Sequence, residues 1–140
     1  MFRHLLVPLD GSSRAEQVLP VAARLARVSQ GTITLLRVVD LTHDAVSYGI
    51  GASYISQNII DDELSAARSY LDQWRHNSTL AGTVVQTRVV AGNAAAAILA
   101  QAAELPIDLV VISSHGYTGM KRWLLGAWLG RWRDMRWRRS

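Results

Sequence analysis

Cysteine is absent from this chain of 140 residues, which removes disulfide staples, thiolate metal sites and cysteine nucleophiles together. The four histidines, His4, His43, His76 and His115, stand too far apart to make a helix-spaced metal pair. Long apolar runs are also lacking. None approaches the roughly 18 to 20 residues that cross a bilayer, and the opening MFRHLLVPLD reaches an aspartate too early for a signal peptide. A cytoplasmic chain with no membrane partner is the expectation. What is present, 49% hydrophobic and 19% charged residues, suits one globular core.

A net charge of +4 suggests nucleic acid as a partner when the charge is spread over the body. Here it is not. Residues 126–140, GAWLGRWRDMRWRRS, hold Arg131, Arg133, Arg136, Arg138 and Arg139 against Asp134, which accounts for the whole excess and leaves the rest balanced. The same segment carries Trp128, Trp132 and Trp137. The body therefore predicts no nucleic-acid partner, and the tail is compositionally foreign to it.

Along the body, His4 to Leu9 reads as a strand feeding the turn Asp10-Gly11-Ser12-Ser13. Ser13 and Glu16 form a capping box, and Ala15, Val18, Leu19, Ala22, Leu25 and Ala26 recur at helical spacing up to Gly31. Pro20 predicts a bend inside that helix. Thr32 to Val39 is a β-branched, apolar second strand, and Leu41 to Asn58 is the least patterned stretch. Helical spacing returns from Ile59 to about His76. Val84 to Val90 is a third strand, Ala94 to Glu104 a helix capped by Asn93, and Asp108 to Ile112 a fourth strand.

Alternating strands and helices with continuous apolar strands predict an α/β fold: an open, doubly wound parallel sheet covered on both faces. Ligands of such sheets sit outside the C-terminal strand ends, where the strand order reverses. That rule selects Asp10, Val38 to Asp40, Val90 to Asn93 and Ser113 to Gly119. The last of these, Ser113-Ser114-His115-Gly116-Tyr117-Thr118-Gly119, has the small residues that let successive N–H groups cradle an anion such as phosphate. Glycines that merely supply positive φ explain the same spacing.

The set VPLDGS, a strand ending Arg37-Val38-Val39-Asp40, Gly92 six residues before Ile98, and SSHGYTGMKRWLLG resembles the universal stress protein family across residues 2–126. The resemblance implies a Rossmann-like, adenine nucleotide alpha hydrolase-like domain over residues 1–126, with four recognisable strands and the family's usual fifth missing, and an atypical basic Arg/Trp tail over 127–140. The nucleotide-binding branch of that family carries G-x2-G-x9-G-[S/T], and this chain offers Ser113-x2-Gly116-x9-Gly126-Ala127. Carried over by position, Asp10 meets the ribose or adenine, Val38 the adenine, and Gly116 and Gly126 the phosphates. Pro8, Leu9 and Val90 line the base pocket, with Ser113, His115, Gly119 and Ala127 in the phosphate-binding turn. The implied ligand is ATP or AMP, with Mg2+ as its companion, held for stress adaptation by a protein that is not an enzyme.

Each residue also has a plainer role. Asp10 can cap its turn, Val38 can end a strand in the core, His115 can serve as backbone alone, and Lys121 and Arg122 can face solvent. A serine in place of the first motif glycine and an alanine in place of the final hydroxyl favour a second class, a stress protein that binds no nucleotide and acts through dimer or partner contacts. A nucleotide hydrolase is the third, and no base or metal positioned for water attack is identifiable.

The resemblance puts a helix and a final apolar strand where this chain has Arg and Trp. Shifting the frame back one base from the end of the Gly126 codon permits Ser-Val-Ala-Arg-Ala-Val-Ala-Arg-His-Ala-Val, which is family-like. The hypothesis is a frameshift product from Ala127 onward. An early stop in the alternative frame of the coding DNA would end it. The resemblance implies a homodimer paired through that final strand, and without the strand an apolar sheet edge is left open. The rival view takes the tail as selected to lie on an anionic membrane or nucleic acid.

Overall fold

The computed structural model describes residues 3–40, 57–115, 121–127 and 137–139. In chain order its elements are β1 (His4–Pro8), α1 (Ser13–Glu16), α2 (Leu19–Ser29), β2 (Thr32–Val39), α3 (Gln57–Arg75), a 3-10 turn (Ser78–Leu80), β3 (Val84–Ala91), α4 (Ala94–Glu104), β4 (Leu109–His115), β5 (Lys121–Ala127) and β6 (Trp137–Arg139). The strands form one sheet in the order β3-β2-β1-β4-β5-β6. β1 to β4 are mutually parallel where they pair, which is the α/β architecture the sequence predicts.

Period-two alternation sorts the strand side chains onto two faces. Leu5, Val7, Ile33, Leu35, Leu109 and Val111 share one buried cluster with Leu19, Ala22, Ala23 and Ala26 of α2 and Leu71 of α3. Leu6, Leu36, Val38 and Val110 point the other way and pack with Ala102 of α4 and Ile107. Sheet chirality explains the division. The steps β1 to β2 and β2 to β3 run in one direction, so right-handed crossovers put α2 and α3 on one face, while the return to β4 puts α4 on the other. β1 lies between β2 and β4, and its interior residues Leu5, Leu6 and Val7 are fully buried.

Three expectations need correction. The first helix is two: α1 is one turn, capped by Ser12 and not Ser13, through a 3.2 Å bond from the Ala15 amide to the Ser12 hydroxyl. Pro20 therefore stands in the first turn of α2, where its missing N–H costs nothing, and bends no helix. The sequence also predicts no strand after β4, yet β5 and β6 follow, both antiparallel. Trp123-Leu124-Leu125 is a short apolar run able to pair with β4, whose edge would otherwise be open. The remaining elements lie within two or three residues of expectation. Most of the unpatterned stretch, residues 41–56, lies outside the described residues, as does the segment 128–136 of the tail. Among the described residues no helix is long and apolar enough to cross a membrane.

Candidate functional site

β1 ends at Pro8, and the Leu9 amide then bonds the Leu36 carbonyl at 2.8 Å, so the chain stays pinned to β2 as it leaves the sheet. Asp10 and Gly11 make the turn, with Gly11 at φ +89°, a left-handed conformation that disfavours a side chain. On the other side of the reversal β4 runs through Ile112 and Ser113. Strand neighbours diverge here because β1 connects towards β2 on one side and pairs with β4 on the other.

The divergence leaves a cavity holding about 520 Å³ of empty space, part of it open to solvent. Pro8, Leu9, Leu36, Val38, Ile98 and Ile112 give it apolar walls, Ala15 and Ala94 supply small surfaces from α1 and α4, and Asp10 and Ser113 are its polar side chains. Such walls suit a flat heteroaromatic ring, and a carboxylate at the rim suits a ligand O–H or N–H donor. Ala94 begins α4, so the positive end of that helix dipole also reaches the cavity.

Asp10 is fixed in one orientation. Its Oδ1 accepts from the Ser12 amide at 2.9 Å and the Ser12 hydroxyl at 2.5 Å. Partial burial alone would raise its pKa, but the Ser12 hydroxyl and amide bonds, with Arg14 nearby, outweigh that and hold the carboxyl below the usual carboxylate range. The group is an anion at neutral pH. Arg37 adds a cation: its guanidinium donates to the Val38 carbonyl at 2.5 Å, beside the cavity wall.

Pro8, Leu9, Asp10, Val38 and Ser113 thus come together as the strand-end rule predicts. Val90 does not join them. It pairs with Val38 on β3 and packs against the second apolar cluster. Gly126 and Ala127 are carried away by the antiparallel return of β5, which sets them opposite Val110 and Leu109. Val110 is three residue steps from Ser113, about 10 Å of strand, so Gly126 and Ala127 lie towards the far end of β4 from the cavity. His115 is the last residue of β4, opposite Lys121, and Gly116 and Gly119 fall outside the described residues. Sequence reasoning missed Ala15, Leu36, Ala94, Ile98 and Ile112. Strand parity was the available signal for Leu36 and Ile112, which share a face with Val38 and Val110.

A sheet parallel from β1 to β4, with an apolar cleft and one fixed carboxylate at its reversal point, defines a protein of the α/β class. The model of the universal stress protein family matches residues 1–128, and the chain belongs to that family. It is 28% identical to universal stress protein YxiE of Bacillus subtilis (strain 168) over 131 residues, 91% of this chain and 88% of the relative. The fold is shared with a universal stress protein family member from Burkholderia pseudomallei, with a TM-score of 0.64, 24% identity and coverage of 78% of this chain and 79% of that one. It is also shared with a universal stress protein crystallised in complex with cAMP, with a TM-score of 0.53, 19% identity and coverage of 79% and 72%.

Proposed function

We propose that the chain is an adenine-nucleotide-binding module of the stress response, working in the cytoplasm and holding ATP or AMP without turning it over. The observation that carries this reading is the convergence of apolar walls and a fixed carboxylate at the strand-order reversal. A purine fits between the walls formed by Leu36, Val38, Ile98 and Ile112, and Asp10 accepts from the ribose hydroxyls. The start of α4 and the Arg37 guanidinium supply positive potential for phosphate, with Mg2+ entering as the companion of the phosphates. A protein of the same fold holds cAMP, an adenine nucleotide. Asp10 spends Oδ1 on Ser12 and serves here as an acceptor for the ligand, in keeping with binding rather than hydrolysis.

Calorimetric titration with ATP, with and without magnesium, tests the proposal. Saturable one-to-one binding is expected, and Ala94→Phe, at an exposed position on the cavity rim, should abolish it while leaving the melting temperature unchanged. A second reading, a stress protein acting through partner or homodimer contacts alone, draws support from the placement of Gly126 and Ala127 away from the cavity. Absence of binding to ATP, AMP and cAMP in the wild-type protein would favour that second reading.

A further inference from the structure

The segment from Pro8 to Ala15 supplies four residues of the cavity wall, Pro8, Leu9, Asp10 and Ala15, and its weakest part is the helical turn that carries Ala15. α1 is four residues long, too short to be stable by its own hydrogen bonds. The bonds around it are long: Glu16 amide to Ser12 carbonyl at 3.2 Å, Gln17 to Arg14 at 3.3 Å and Val18 to Ala15 at 3.4 Å. Its near end is pinned at Leu9. Its far end, at Glu16, is gripped from another element: the Tyr70 hydroxyl of α3 donates to Glu16 Oε2 at 2.5 Å, and the Trp74 indole Nε1 donates to the same oxygen at 3.4 Å.

We propose that Tyr70, with Trp74, is a positioning residue for the ligand cavity, fixing α1 through Glu16 so that Ala15 and Asp10 stand where the ligand meets them. The inference rests on the reading of that cavity as a nucleotide site. Ala15, Tyr70 and Trp74 all pack against the larger apolar cluster, so the clasp and the wall share one support. Burial, then the bond to Glu16, raises the Tyr70 pKa, so its hydroxyl stays a donor throughout the physiological range. A bond between a neutral donor and a carboxylate is among the stronger kind, and α1 has no regular ladder to replace it.

The test is ATP affinity, measured by calorimetry alongside thermal unfolding of the ligand-free protein. Tyr70→Phe should bind roughly tenfold more weakly, as expected when an unclasped α1 holds the binding shape only about a tenth of the time. Glu16→Ala should match it and Glu16→Gln, which keeps an acceptor oxygen, should recover most of the affinity. The double variant Tyr70→Phe with Glu16→Ala should be no worse than either alone, since one interaction is removed twice. Asn77→Ala, which uncaps the 3-10 turn away from the cavity, should lower the melting temperature and leave affinity unchanged. Wild-type affinity in Tyr70→Phe, or an equal loss in Asn77→Ala, would overturn the proposal. If Tyr70→Phe fails to fold, Glu16→Gln against Glu16→Ala decides it. A wild-type protein that binds no nucleotide removes the cavity reading itself, a result distinct from wild-type binding that is insensitive to Tyr70.

Discussion

Single residues in this protein carry polar duties inside an aliphatic core, and His4 shows how. It opens β1, its Nε2 meets the buried Thr34 hydroxyl at 2.7 Å, and its amide donates to Asp108 Oδ2 at 2.9 Å. Burial lowers its pKa against the raising effect of Asp108, and Arg88 lowers it further. The folded state therefore resists protonating this ring while the unfolded chain takes the proton at about 6.5. Stability from this group is complete above that value and declines as pH falls through it. The urea midpoint should drop between about pH 7.5 and pH 5, with a shallower drop in His4→Gln; an identical slope would count against this account. At the site, Pro8, Leu9, Asp10, Val38 and Ser113 were legible because the ends of apolar runs are visible in a sequence. Asp10 accepts from Ser12 within its turn and also lines the cavity. Ala15, Ala94 and Ile98 were not legible, because a helix residue joins a strand-end cavity only through packing angles that spacing does not encode.

Elements were easiest to read where a side chain fixes the boundary. Asn93 accepts from the Ala96 amide at 3.1 Å, and α4 starts one residue later, as its sequence predicts. Asn93→Ala should cost about 1 kcal/mol, seen as a lower melting temperature, whereas Asn93→Asp or Asn93→Ser should cost little. Ser12 and Ser13 both qualify as caps by type, and the bond from Ser12 to Asp10 settles which of them serves. The break between α1 and α2 was hidden because Val18 keeps near-helical angles, φ −76° and ψ −18°, so the apolar spacing runs straight through it. β5 was illegible for a different reason. A glycine-bearing turn followed by Trp123-Leu124-Leu125 fits a loop leading into a helix as well as it fits a hairpin, and only the register against β4 separates the two.

At the scale of the whole molecule, the two faces of the sheet are unequal. The face under α2 and α3 gathers the larger apolar cluster, and Leu35, one of its members, is fully buried. Leu35→Ala should cost about 2 to 5 kcal/mol in urea unfolding, the usual cost of emptying a fully buried leucine site. A cost below about 1 kcal/mol would show that this face is loosely packed. The strand order has a last consequence. With β1 bordered by β2 and β4, deuterium entering from either rim of the sheet must melt a neighbour before it reaches the peptide groups of Leu5 and Leu6. The cleft at the top of that strand is thus moored to the part of the molecule that opens last, and fraying at the outer strands leaves it intact.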